Sequence, residues 1–340
     1  MKRSSFLSSP TLALAALVAL ATVVQPSPLR ADWLVTNSGS NSIERFDSAG
    51  NWLGVFSTEV ENPLGITQGL DGYIYVSTYQ WSSLDAPRIQ KLDATTGLVV
   101  DTFFLQRPDN SLVNSFWDIT TDSATGDIYV AGSEAGLWRF NPLTNPSGEL
   151  LSDYNALGLH AQAGSLYFGR DAVYQVSTDN TSIANLVISP DAINGLTGNT
   201  HDILLDLDGN IYVADPNSGL MKKFTSGGTF VGDFVDVGYT NGTNPTGMAF
   251  GADGRFYVVG HDDDRIYVRN TLGDLETFID PTHLSGPQFM AEISAVPEPS
   301  GAVLLLSTGV LVAACCRRRT SLCSGQGLNL SRTHAPPSSR

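Results

Sequence analysis

The chain has 340 residues, 34 acidic and 19 basic, for a formal net charge of −15 at neutral pH. Residues 32–298 hold all 34 acidic side chains but only 11 of the basic ones, a net −23. Such a surface repels nucleic acid and anionic lipid and tolerates divalent cations, which excludes nucleic-acid binding. The three cysteines, Cys315, Cys316 and Cys323, lie near the C-terminus. A body over residues 32–294 must therefore be held by its own core and not by disulfides, and it is long enough to bury one.

The chain opens on Lys2 and Arg3, then an apolar run over 12–24 rich in Leu, Ala and Val, then Ala31 as a small residue for cleavage. Basic start, apolar centre and small-residue site together predict a secretory signal peptide over residues 1–31.

The body repeats. DGYIYV ends at Val76, GDIYV at Val130, GSLYF at Phe168, DGNIYV at Val213 and DGRFYV at Val258. Each is a turn followed by alternating apolar and β-branched or aromatic residues, the pattern of a strand leaving a tight hairpin. Their tyrosines, 75, 129, 167, 212 and 257, are separated by 54, 38, 45 and 45 residues. Periods near 40–50 residues built from short strands point to propeller blades. A short apolar strand precedes each turn, centred on Gly65, Asp118, Gly158, Ile203 and Gly247. A third strand follows each tyrosine strand, and a fourth follows a further turn, as at Trp52 and Phe230. The third strand occurs six times but the first only five. The body begins at Asp32 in a second strand and ends near Ile293 in a first strand, so the sequence predicts a ring of six closed by pairing the two ends. Closure also removes the exposed edges of a linear array.

After the body come Pro297-Glu298-Pro299, an apolar run over 301–316, and Arg317-Arg318-Arg319. The run is at the short limit for a membrane helix, and the arginines would hold its far side in the cytoplasm. Residues 320–340 contain Ser, Pro and Arg and read as a disordered tail.

Two resemblances follow. The order Pro-Glu-Pro, apolar run, arginine cluster resembles the PEP-CTERM sorting domain of Gram-negative bacteria, here over 295–319. That implies a transient membrane anchor, recognition and cleavage by an exosortase after signal peptidase has acted, and release to the cell surface or extracellular matrix. The continuation to Arg340 departs from the family, whose members end near the basic cluster. The body resembles NHL-type propeller repeats, through Asn-Pro-x-Gly-Ile/Met followed by Asp-Gly-x-Ile/Phe-Tyr-Val at Asn62 to Val76 and Asn244 to Val258. This resemblance implies an all-β, six-bladed propeller of four-stranded antiparallel blades, an architecture that hosts unrelated functions.

Most conspicuous acids have a turn explanation. Asp71-Gly72, Asp208-Gly209 and Asp253-Gly254 stand between two strands, where Asp and Gly accept positive φ. Asp206 to Asn210 has a faint likeness to a calcium loop but lacks the later ligands. Better candidates stand at strand entrances facing the channel and in the loops after second strands. Asp118, His201 and Asp202 depart from the glycines of sister units, a departure that the fold alone leaves unexplained. Asn37, Tyr79, Glu134, Asp171, Asp215, Asn217, His261 and Asp262 lie in the loops. Asp118, Asp202, Asp215 and Asp262 would converge on Ca²⁺ or another divalent cation if propeller geometry brings them together; hydrated carboxylates on an acidic protein are the plainer reading. Tyr79, Trp81, Trp117 and Trp138 would suit a sugar-stacking rim, with Trp138 better placed for packing between blades. No nucleophile elbow or zinc spacing is present. The sequence therefore points to an exported, non-catalytic binding propeller holding an envelope or matrix protein or glycan. The alternative is a metal-dependent hydrolase or lyase, as in the gluconolactonase-like propellers that this architecture resembles.

Overall fold

The computed structural model describes residues 31–79, 87–105, 107, 113, 115–178, 180–189, 196, 199–236, 244–270, 272–279 and 281–294. Residues 1–30 of the expected signal peptide, the expected sorting segment with Pro297, Glu298, Pro299 and Arg317 to Arg319, the tail, and Trp81 lie outside these residues.

Twenty-four strands form six four-stranded antiparallel sheets. Blade 1 contains β1 (Asp32–Asn37), β2 (Ser42–Phe46) and β3 (Trp52–Ser57). Blade 2 is β4 (Pro63–Gln68), β5 (Ile74–Thr78), β6 (Ile89–Leu92) and β7 (Val99–Phe103). Blade 3 is β8 (Ile119–Thr121), β9 (Ile128–Gly132), β10 (Gly136–Asn141) and β11 (Asn145–Ser152). Blade 4 is β12 (Gly158–Gln162), β13 (Ser165–Gly169), β14 (Val173–Ser177) and β15 (Asn180–Ile188). Blade 5 is β16 (Asp202–Leu205), β17 (Ile211–Asp215), β18 (Leu220–Phe224) and β19 (Phe230–Asp236). Blade 6 is β20 (Pro245–Phe250), β21 (Phe256–Gly260), β22 (Arg265–Arg269) and β23 (Leu275–Ile279). The last strand, β24 (Pro287–Ile293), returns to blade 1 and pairs with β1, Asp32 opposite Ile293 and Val35 opposite Met290. The ring closure predicted from the repeat count is therefore the observed one.

Burial follows position in the blade. The tyrosine strands β5, β9, β17 and β21 are buried at every residue, because neighbouring blades cover both faces. The fourth strands β3 and β7 are largely solvent-facing. The core has no single centre. Each of its six clusters lies between two adjacent blades, as where Tyr75, Phe103, Trp138 and Phe140 join blades 2 and 3, or Trp33, Phe46, Tyr257 and Met290 join blades 6 and 1. Trp138, only 1% exposed, donates its Nε1–H to the Ala135 carbonyl at 2.8 Å and is a packing residue.

Strand reversal defines two faces. Turns from first to second and from third to fourth strands lie on one, here the turn face. Loops after second strands and connections between blades lie on the other, the loop face. The turn acids act as structure. Asp71 accepts hydrogen bonds from the Tyr75 hydroxyl and the Lys91 ammonium, each at 2.8 Å, and Asp253 accepts from the Tyr257 hydroxyl at 2.9 Å. Asp206 takes the Asp208 and Asn210 N–H groups and the Tyr212 hydroxyl. In blades 2, 5 and 6 the repeated tyrosine thus fastens its strand to the preceding turn. Gly72, Gly209 and Gly254 have φ of 81°, 79° and 78°, the left-handed conformation these turns need.

Candidate functional site

The first strands touch one another across neighbouring blades and line the centre of the ring. At one level near the loop face the six blades carry, in order from blade 1, Phe289, Gly65, Asp118, Gly158, Asp202 and Gly247. Glycine alternates with a larger residue, and each glycine is pressed against the larger residue of the next blade. A Cβ on Gly65 would stand 2.6 Å from the Trp117 carbonyl oxygen, one on Gly158 2.7 Å from the Asp202 Cα, and one on Gly247 2.7 Å from the Gln288 oxygen. Asp118 and Asp202 thus occupy the larger-residue places between these glycines.

The carboxyls fasten the intervening junctions. Asp118 Oδ1 accepts the Ile119 N–H at 2.7 Å and its Oδ2 the Leu159 N–H of blade 4 at 2.8 Å. Asp202 Oδ1 accepts the Ile203 N–H and its Oδ2 the Met248 N–H of blade 6, both at 2.6 Å. The two carboxyls also interact with each other, which favours the charged form of Asp118 and the protonated form of Asp202. Burial pushes the Asp118 carboxyl up to about 8. Burial and then the charge of Asp118 raise Asp202 well above the usual carboxylate range. The pair therefore retains a proton at neutral pH, whereas Asp71 is held low: burial would raise it, but the Lys91 and Tyr75 hydrogen bonds outweigh that.

Where Asp is absent, hydroxyls bridge the blades. Thr36 Oγ1 donates to the Leu64 carbonyl of blade 2 at 2.6 Å, Ser77 Oγ to the Trp117 carbonyl of blade 3 at 2.7 Å, and Thr246 Oγ1 to the Gln288 carbonyl at 2.6 Å. The places in β9 and β17 that match Ser77 hold Ala131 and Ala214. In blades 3 and 5 an alanine in the second strand thus goes with a carboxylate in the first.

His201 lies beside this pair on the loop face, its ring 5.2 Å from that of Trp117, which in turn meets Tyr79 edge-on at 6.1 Å. Burial lowers the His201 pKa to about 4, and His261 and Arg170 push it the same way, so the ring is neutral. Its Nδ1 and the Trp117 Nε1 make no hydrogen bond within the described residues. His261 is held in blade 6 by the Pro287 carbonyl and the Gln288 amide, with Asp262 Oδ1 3.9 Å from its other nitrogen. Asp215 is buried at the end of β17, where its carbonyl accepts the Ser218 hydroxyl. Asn37 donates to the His283 carbonyl, and Asp171 is exposed. Of the six candidates, Asp118 and Asp202 meet directly and His201 stands at their side. Among the described residues no three His, Cys, Asp or Glu side chains gather closely enough to hold a metal ion.

A scan of protein-family models finds no match to this chain, and neither does a search of curated proteins. Solved structures do match. A chain of the nidogen/laminin complex superposes with a TM-score of 0.60 at 13% identity, over 79% of this chain and 99% of that one. The gluconolactonase XC5397 of Xanthomonas campestris gives 0.54 at 15% identity, over 67% and 79%. A streptogramin B lyase gives 0.48 at 17% identity, over 76% of each chain. At these identities the likeness to the first two establishes architecture alone: the chain is an all-β, NHL-like propeller of six four-stranded blades.

Proposed function

We propose that this protein is an exported, non-catalytic binding propeller, delivered through its signal peptide and PEP-CTERM-type segment to the cell surface or extracellular matrix. There its loop face holds a matrix protein or glycan. One observation carries the binding half. Asp118 and Asp202, the carboxyls nearest the channel, each accept two backbone N–H groups and hold each other's charge in check. A carboxyl committed in this way and holding a proton is a poor oxygen ligand for a hard cation. The Tyr79 and Trp117 rings beside them are partly exposed and, backed by the buried His201 ring, form an aromatic surface suited to stacking on a sugar or a partner side chain. Destination rests on the terminal segments and on the −23 charge of residues 32–298, which suits a soluble extracellular body.

Elemental analysis of the purified protein, with Asp118→Ala and Asp202→Ala variants alongside, tests the binding half. The expected result is no stoichiometric divalent ion and unchanged thermal stability in chelator. A bound ion lost in both variants would replace this reading with that of a metal-dependent hydrolase or lyase. For the sorting half, Pro297→Ala with Pro299→Ala should leave a longer, membrane-retained form in an exosortase-bearing host. Processing identical to wild type would sink it.

A further inference from the structure

The turn face carries four leucines that are more than 60% exposed and that no cluster of the core uses. Leu70 and Leu207 lie in turns between first and second strands, Leu143 and Leu272 in turns between third and fourth strands. They are 62, 100, 78 and 80% exposed, respectively. Such tips are ordinarily polar, because turn positions favour Asp, Asn, Ser and Gly. The placement is also repetitive. Leu70 belongs to blade 2 and Leu143 to blade 3; Leu207 belongs to blade 5 and Leu272 to blade 6. The two pairs therefore stand on opposite sides of the ring, three blades apart. At the first pair both leucines line one cleft of about 190 Å³ with Ile128 and Pro142.

Both ends of the body leave from this same face. Asp32 opens β1 opposite Ile293, which ends β24, and together they occupy the place that a turn fills in the other five blades. From Ser294 the sequence reaches the apolar run at Gly301 in seven steps. At about 3.6 Å per residue that is at most about 25 Å. A face tethered so closely meets a bilayer at high effective concentration, so weak apolar contacts count for more than they would in a free protein.

We propose that, while residues 301–316 are inserted in a membrane, the turn face lies on that membrane and Leu70, Leu143, Leu207 and Leu272 enter the boundary between headgroups and acyl chains. This rests on the anchoring reading above. The surface it fits is uncharged or zwitterionic lipid. Asp71 is paired with Lys91, Asp206 lies 3.9 Å from Lys223, and Asp253 lies 3.3 Å from Arg255, but the net charge of the body still opposes anionic headgroups.

The absence of cysteine before Cys315 makes the test direct. In the full chain, with Cys315, Cys316 and Cys323 changed to Ser, a single Leu143→Cys, Leu207→Cys or Leu272→Cys carries a polarity-sensitive dye. Asp171→Cys on the loop face is the control. In phosphatidylcholine vesicles the three turn-face dyes should shift to the blue and be quenched by a lipid-borne quencher, and the control should do neither. Adding phosphatidylglycerol should weaken the shift. Protein that floats with the vesicles while its turn-face dyes match the control overturns this inference alone. Protein that does not float overturns the anchoring reading and this inference with it.

Discussion

Two kinds of junction alternate around the ring. At 2/3, 4/5 and 6/1 a glycine lets one first strand lie directly on the backbone of the next, and at 2/3 and 6/1 the Ser77 and Thr246 hydroxyls add a hydrogen bond to that contact. At 1/2, 3/4 and 5/6 a buried side chain, Thr36, Asp118 or Asp202, spans the gap and hydrogen-bonds the neighbouring backbone. The ring is in this sense three pairs of blades. The difference teaches that one repeat can close a circle by two physical means, steric contact without a side chain or a polar bridge that must be fully satisfied when buried. The two means fail differently, which separates them experimentally.

The glycine junctions should break hardest. Gly158→Val or Gly65→Val drives a side chain into backbone that cannot yield, and about 3 kcal/mol or more of unfolding free energy should be lost, read by urea titration. A loss under about 1 kcal/mol would mean that these junctions have slack and the pairing of blades is not real. Next comes Asp202→Ala, which strands the Ile203 and Met248 N–H groups in the interior. We expect a loss of about 2–3 kcal/mol, and a smaller one for Asp202→Asn, which keeps an acceptor. Equal losses for Ala and Asn would deny the bridging role.

The third test uses pH. Asp118 and Asp202 are raised in the folded chain from about 3.8, so the folded state binds protons that the unfolded chain has released. Their contribution to stability is fully present below pH about 4 and is lost as pH rises through about 8. The Asp118→Asn, Asp202→Asn double variant should lack this alkaline loss. Its unfolding midpoint should therefore gain on wild type between pH 5 and 9, and parallel profiles would count against the shared proton. Asp71 and Asp206 are lowered and act in the opposite sense, giving stability that falls as pH drops below about 4. The smallest effect is expected at Thr36→Val, where the bridge to the Leu64 carbonyl and the acceptor of the Phe289 N–H disappear without a change of shape. About 1 kcal/mol should go, and a loss matching that of Asp202→Ala would erase the distinction between hydroxyl and carboxyl bridges.

Much of the architecture was legible before any coordinates. The turn followed by Ile-Tyr-Val is a local signal, and counting third strands against first strands was enough to predict the pairing of β24 with β1. The turn role of Asp71, Asp208 and Asp253 was also legible, although the hydroxyls of Tyr75 and Tyr257 on Asp71 and Asp253 were not, because a hydrogen bond four residues along a hairpin leaves no periodicity. In the second of these units the acid that the tyrosine reaches is Asp206, two positions before Asp208. The central level was harder. Asp118 looks like a lone acid until Gly65 and Gly158 are placed on either side of it, and those neighbours come from other blades. Its meeting with Asp202 depends on Gly158 lacking a side chain, a relation among three repeats that spacing along one chain does not encode. The aromatic surface of Tyr79, Trp117 and His201 assembles in the same way from blades 2, 3 and 5.

Closure by β24 has a consequence for the order of events in making the protein. Blade 1 holds the first three strands of the body, yet its inner strand is the last to be synthesised, so the earliest blade begun is the last that can be finished. Until residue 293 is available, β1 presents an unpaired edge, and the partners Asp32 and Ile293 are separated by nearly the whole folded sequence. If the chain is threaded across a membrane from its N-terminus, as proposed, this step comes only as the apolar run behind it arrives, and the ring can lock only once transport of the body is complete.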